Sequence, residues 1–357
     1  MSTPVNRRPW AVTSRAYRAQ LALVIAVPPL FTLAIMLLTK IDFSVALLGV
    51  FAPMQILVTA LFGFLKGRRR GLGDALLVFF TIFFSALVLV LLLSVLGSVI
   101  AEGAKAFSPH FLYQNNRYVG TTTSLEYGGV GHAIVGTLLI VLLTTIAAVP
   151  LGIAMAVYLT QSQSKLRGLV RTMTQSLAGL PSVVSGLFIL AVMGFAHMER
   201  SGLTGAMALF PLMLPTVARV AEESLRLVPA DLRMAALALG APNYKAFFQV
   251  ILPAAKSGIV TALLLGLARI VGETAPLILT ININNTTNWN PFNGPIAALP
   301  TYVYSFLGST YTNSQNRAWG GALVLLILVG ILFASARIVS RKKSLTTKKN
   351  KKAENAK

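Results

Sequence analysis

The chain has 357 residues, of which 55% are hydrophobic and only 11% charged, against about 25% charged in an average soluble domain. With a mean hydropathy of +0.73 and no cysteine, this composition argues for the bilayer as solvent and excludes a disulfide framework and any cysteine-ligated metal or cluster. The net charge of +21 comes from 31 Lys+Arg against 10 Asp+Glu. Because these cations sit between apolar runs and in the C-terminal tail, they read as topology signals and anionic-lipid contacts, not as a nucleic-acid footprint.

A helix needs about 20 apolar residues to cross the hydrocarbon core. Eight stretches meet or approach that length: 21–39, 43–65, 75–101, 133–159, 177–196, 203–221, 257–281 and 319–339. The first is long for a signal-peptide core and lacks a small-residue cleavage site, so it reads as a helix. It pairs with the second as a short hairpin through Lys40-Ile41-Asp42. The run Lys66-Gly67-Arg68-Arg69-Arg70-Gly71 reads as a turn between that hairpin and six further spans. Pro211 and Pro215 interrupt the sixth stretch, which a bilayer tolerates where neighbours satisfy the freed carbonyls. The layout is a basic N-terminus over 1–20, an accessory hairpin over 21–65, a main transmembrane domain over 75–339 and a solvated, disordered basic tail over 340–357.

Eight spans put both termini on one side. That side collects 25 of the cations and the other side five, namely Lys40, Lys105, Arg117, Arg200 and Arg317, while Arg269 falls inside a span. The bias places both termini in the cytoplasm. Two outer loops are long: 102–132, with Gly128-Gly129-Val130-Gly131, and the Asn- and Thr-rich 282–318. His110, His132 and His197 all lie outside the apolar runs, and the chain contains no Gly-Lys dipeptide, no H-E-x-x-H and no G-x-S-x-G. No nucleotide-binding P-loop, catalytic residue, metal or cofactor is therefore expected, and any uphill transport would draw its energy from a partner.

The inner segment 222–256 carries two short helices. Pro229 suits a helix start, Asp231 its first turn and Gly240 its stop. Leu232, Ala235, Ala236 and Leu239 share one face. A second helix runs from about residue 243 to 252, with Tyr244, Phe247 and Phe248, and Pro253 ends it. Such a segment either lies in the membrane interface or docks into a groove on another protein. Ala235-Ala236, Gly240 and Val250-Ile251-Leu252-Pro253, with their spacing, resemble the "EAA" loop of ABC-transporter permeases, although Met234 stands where that family usually has Glu. The resemblance implies that Pro229, Asp231, Leu232, Arg233, Ala235, Ala236, Gly240, Ala241, Tyr244, Phe247, Phe248 and Pro253 form the coupling surface for a cytoplasmic ATPase. ATP hydrolysis would then belong to a partner chain.

The seventh stretch holds Arg269 and Glu273, spaced i,i+4 and so able to pair on one helix face. A charge at mid-bilayer costs roughly 2.5–3.5 kcal/mol on insertion scales. The pair is therefore either a structural brace or part of a substrate path, and the second reading is preferred because intramembrane ionisable groups default to function. Arginine's planar donors suit an oxyanion, with Glu273 as counter-ion. Ser182 and Thr274 are polar neighbours that could line such a path, although a hydrogen bond to a helix carbonyl is the preferred reading of each hydroxyl.

Gly272-Glu273-Thr274-Ala275-Pro276-Leu277, with Ala268-Arg269 before it, resembles the PstA-type permeases of bacterial phosphate ABC transporters. So do Leu180 to Phe188 and Ala133 to Leu138. The PstC-type sister subunit usually has Met after Gly-Glu-Thr. The resemblance implies an all-α polytopic transmembrane bundle, with a type I importer core of six helices behind the N-terminal hairpin, in a bacterial inner membrane. It also implies a PstC-type partner permease, two cytoplasmic ATPase subunits and an external phosphate-binding protein. Membrane lipid is a further expected partner and nucleic acid is not. The rival readings are a permease for another oxyanion, such as sulfate or molybdate, and an ATP-independent carrier.

Overall fold

The computed structural model describes residues 15–39, 41–42 and 45–354, and every regular element among them is helical. Residues 1–14 of the basic N-terminus and Lys40 of the expected hairpin connection lie outside the described residues. Stretches long and apolar enough to cross a bilayer are Ala22–Thr39, Leu76–Gly103, Gly131–Gln161, Gly202–Arg226 and Thr312–Ser335. Two bent helix pairs, Arg167–Ala178 with Ser182–Ala196 and Asn243–Ala254 with Lys256–Val271, raise the number from 5 to 7, and Gly49–Leu65 is a shorter apolar helix.

The chain divides into two compact units, Met1–Leu96 and Gly97–Lys357. In the first, α1 (Arg15–Thr39) is followed by a π-helical turn, Ala46–Phe51, that leads into α2 (Ala52–Gly103). Pro28 sits inside α1 and cannot donate to the carbonyl of Val24. Gln55 Nε2 supplies the missing donor to that carbonyl at 3.0 Å, which ties α2 to α1.

The turn expected at Lys66–Gly71 is not there: α2 is helical straight through it for 52 residues. Lys and Arg are good helix formers, and two glycines cost only about 1 kcal/mol each in a helix interior. At 1.5 Å per residue α2 is about 78 Å long, more than twice the roughly 30 Å hydrocarbon core.

The second unit is built on α4 (Gly131–Gln161) packed along α7 (Gly202–Arg226). Lipid removes most of the hydrophobic driving force between helices, so close approach and internal hydrogen bonds must supply it. Small residues allow that approach. A Cβ on Gly152 would lie 3.0 Å from Val217, and Ala148, Ala156 and Ala218 are buried in the same seam. Ser201 and Thr204 form a reciprocal capping box that starts α7. Around these two helices sit α5 (Arg167–Ala178), α6 (Ser182–Ala196), α11 (Lys256–Val271) and α12 (Ala275–Thr280). Ser185 Oγ donates to Ala208 O at 2.6 Å, joining α6 to α7, and Thr204 Oγ1 to Thr280 O at 2.8 Å, joining α7 to α12.

At one end of this unit, α3 (Pro109–Tyr113) and the loop to Gly131 fold onto α13 (Leu299–Leu307) and α14 (Thr312–Glu354). Arg317 is 1% exposed and donates to the backbone carbonyls of Thr123 (3.0 Å), Ser124 (2.7 Å) and Tyr127 (2.9 Å). Asn116, equally buried, donates to the Tyr302 hydroxyl and accepts from Gly129 N. Burial pushes the Tyr302 phenol up to about 12, with the Asn116 hydrogen bond and Arg317 pulling the other way, so it stays neutral. Gly129 is obligatory, since a Cβ there would overlap the carbonyl of Phe111. His132, expected outside the apolar runs, is buried in the first turn of α4. At the other end, α14 carries its helix into the Lys-rich tail as far as Glu354, where the sequence reading expects disorder; Lys and Ala propagate a helix already nucleated upstream.

Arg317→Gln strips three carbonyls of a charged donor, and bonds to charged groups are worth about 1.5–3 kcal/mol each. The variant is expected to lower the unfolding temperature in detergent and to expose 121–127 to limited proteolysis, with the spans uncut.

Candidate functional site

The seventh apolar stretch is broken. Helix α11 stops at Val271 with Gly272 as its cap, Glu273 N closes a turn onto Ile270 O at 3.2 Å, and Thr274 caps α12. Pro276 therefore lies in the first turn of a new helix, where its missing N–H costs nothing.

This break corrects the expected Arg269–Glu273 pair. An i,i+4 face exists only while the helix continues, and Glu273 lies beyond its end. The ion pairs among the described residues are Lys105–Glu102, Arg171–Glu222 and Arg226–Glu222. Arg269 instead donates through Nη1 to Thr216 Oγ1 on α7 at 3.0 Å. Gly266 makes this possible: one turn earlier it faces Val217 and Met213, and a Cβ there would lie 2.8 Å from Val217 Cγ2. The close helix crossing that results carries Arg269 to Thr216.

Arg269, Glu273, Thr274 and Ser182 are all part-buried. Thr274 Oγ1 reaches Gly272 O at 3.5 Å, and Ser182 opens α6 after Pro181. No hydrogen bond joins these two side chains to Arg269. Helices α6 and α12 do touch, through Gly186, whose Cβ would lie 2.7 Å from Pro276 Cα. Thr216 is the residue that sequence reasoning missed. Its only signal was its place after Pro215 in a different stretch, and no spacing rule connects that position with 269.

The inner segment forms two short helices, as expected. Helix α8 (Ala230–Ala238) starts after Pro229 with Asp231 in its first turn. It ends in a Schellman motif: Gly240 N bonds to Leu237 O and Ala241 N to Ala236 O. Gly240 has φ +80°, with open space where a Cβ would go. Helix α9 (Asn243–Ala246), a π-helical turn (Phe247–Ile251) and α10 (Leu252–Ala254) follow. Pro253 does not end this helix, which runs to Ala254 before a 66° bend into α11; Pro253 sits in the first turn of α10, where its missing donor is tolerated.

Ala236, Ala246, Phe247 and Ile251 face inward, while Leu232, Ala235, Leu239, Tyr244 and Phe248 are exposed. Leu239 is 90% and Phe248 62% exposed, so the segment presents apolar side chains outward. Beside it lies a groove of about 610 Å³ between α4 and Phe247, Phe248 and Leu252. Glu222, on the last turn of α7, accepts from both Arg171 of α5 (3.0 Å) and Arg226 (2.5 Å) and is a second residue without a sequence signal.

Residues 148–345, which contain Ser182, the whole inner segment and the Arg269–Thr274 break, match the family model for the inner membrane component of binding-protein-dependent transport systems. The chain belongs to this family. It is 42% identical over 277 residues to the phosphate transport system permease protein PstA of Mycobacterium leprae, covering 75% of this chain and 89% of that protein. PstA of Pasteurella multocida is 35% identical over 252 residues, covering 70% of this chain and 88% of that one. A solved structure of the MetNI methionine ABC transporter, inward facing, aligns over 60% of this chain and 93% of that chain at 20% identity, with a TM-score of 0.46. Family membership makes the chain an inner-membrane component of a binding-protein-dependent transport system.

Gly240→Ala meets no neighbour, so only the left-handed backbone is penalised, by about 1–2 kcal/mol. Thermal unfolding of the purified chain is expected to show that loss, with Gly240→Asn recovering part of it.

Proposed function

We propose that this permease is the membrane-spanning subunit of an ATP-driven phosphate importer. The observation that carries the reading is its 42% identity across 89% of the length of a phosphate permease. The Gly272–Leu277 segment sits at the helix break that carries Glu273, one turn after Arg269.

Arg269 is the anion-facing residue in this reading. One guanidinium nitrogen is held by Thr216, which orients the fork and leaves its other donors for an oxyanion. Glu273, off the helix and separate from Arg269, balances the charge of the empty path and keeps the anion from binding too tightly to leave. Thr274 and Ser182 supply polar lining on the two helices that meet at Gly186 and Pro276.

The 229–253 segment is the coupling surface. Its exposed Leu232, Leu239, Tyr244 and Phe248 fit a cleft on a cytoplasmic ATPase. Arg233, Asp231, Ala235 and Ala241 would contribute the flanking contacts, with Pro229, Gly240 and Pro253 setting the backbone. Closure of two ATPase subunits would push α8 and α9, and the bend into α11 would pass that displacement to Arg269. A PstC-type permease completes the path, and an external phosphate-binding protein delivers the anion.

Residues 75–339 form the transport domain and 21–65 an accessory hairpin. Both termini lie in the cytoplasm, on the strength of the cation bias.

The test is phosphate uptake by the transporter reconstituted with its cognate subunits, comparing wild type with Arg269→Gln. Loss of one charged hydrogen bond in the path corresponds to a fall of about 10- to 100-fold. Uptake is expected to fall by that much while ATPase stimulation by the binding protein persists. Unchanged uptake would reduce Arg269 to a brace on Thr216.

A further inference from the structure

Helix α5 has no part in the transport path or in the coupling segment, yet its placement is tightly specified. It meets α6 at 104°, close to a right angle. Where α6 runs across the membrane, α5 therefore runs along its surface. One face is fixed to α7: Thr174 is 7% exposed, and Arg171 is paired with Glu222. The pair sets the level of α5, because Glu222 lies on the last turn of α7, at the end that leads into the inner segment.

A second face has nothing on it. Leu166, Leu169 and Met173, at i, i+3 and i+7, are 60%, 57% and 57% exposed. Lys165 borders this stripe, while Arg167, four residues before Arg171, lies on the α7 side. Lys165 and Arg167 make no ion pair, and Arg167 Nε is buried without an acceptor. Residues 160–178 contain no Asp or Glu. A short helix with an apolar stripe, a cationic margin and no acid, lying parallel to the membrane, complements an anionic lipid surface. It offers an acidic protein groove nothing that the lipid does not offer better, because the stripe needs acyl chains beside the phosphates.

We propose that α5 is an interfacial helix that binds anionic phospholipid of the inner leaflet. Leu166, Leu169 and Met173 enter the acyl region while Lys165 holds the headgroup phosphate. Glu222 ties this anchor to the end of α7, with only Leu227-Val228-Pro229 between that helix and α8. The lipid contact thus fixes the base of the coupling segment against the membrane.

The absence of cysteine makes the test clean. A nitroxide is attached to Leu169→Cys or, on the opposite side of α5, to the exposed Gln175→Cys. The full-length chain is placed in vesicles of phosphatidylcholine with or without phosphatidylglycerol. Collision with oxygen, which partitions into lipid, is compared with collision with a water-soluble nickel chelate. At 169 the oxygen-to-nickel ratio is expected to rise several-fold when phosphatidylglycerol is added, and to lose that rise in Lys165→Gln. At 175 the ratio is expected to stay low in both vesicles, which also reports that the helix has kept its orientation. A water-exposed label at 169 in both vesicles overturns the proposal. So does a ratio indifferent to phosphatidylglycerol, or protection at 169 that arises only when cytoplasmic subunits are added. None of these readouts depends on which anion the transporter carries.

Discussion

A backbone carbonyl inside a bilayer has no water to turn to, and most of this fold follows from how its carbonyls find donors. Pro28 removes a donor from α1, and Gln55 on the neighbouring helix restores it to Val24. Thr204 and Ser185 reach across to Thr280 O and Ala208 O, so bonds that satisfy one helix also join it to the next. Arg317 does the same on a larger scale, gathering three loop carbonyls around one buried guanidinium and turning a long outer loop into a fixed cap. These polar links act together with small residues, because lipid competes with every apolar contact the helices could make.

The same constraint explains why the breaks are where they are. A chain can leave the helix at membrane depth only where its freed groups are sheltered by neighbouring helices. The Gly272–Thr274 break lies between α7, which takes Arg269 through Thr216, and α6, which meets α12 at Gly186. Two charges that a continuous helix would have neutralised against each other are instead held apart. The 66° bend between α10 and α11 leaves the 229–253 segment and the charged break at opposite ends of α11.

Much of the architecture was legible. Apolar runs of about 20 residues, the proline and glycine punctuation around 229–253 and the Gly272–Leu277 motif are local patterns, and local patterns survive in a linear text. What misled were places where two local rules compete. Lys66–Gly71 has the charges and glycines of a turn, but its residues are also competent helix formers between two helices, and the helix continued. Arg269 and Glu273 have the spacing of a helical pair, but Gly272 between them ended the helix that the spacing rule assumed. The outward-facing Leu239 and Phe248 and the inward-facing Phe247 could not be told apart by composition, because a π-helical turn shifts the register within that segment.

By itself the sequence determined that the chain lives in a membrane, which stretches are apolar enough to cross it, and that the inner segment and the seventh stretch carry its distinctive residues. These properties depend on hydrophobicity and on neighbours within a few positions. The tertiary structure decided which partner each polar group takes: Thr216 for Arg269, Glu222 for Arg171, three carbonyls for Arg317. Those pairings join residues 51, 53 and about 190 positions apart. Arg269 meets Thr216 because α11 and α7 cross closely at Gly266, and such a crossing has no image in the order of the residues along the chain.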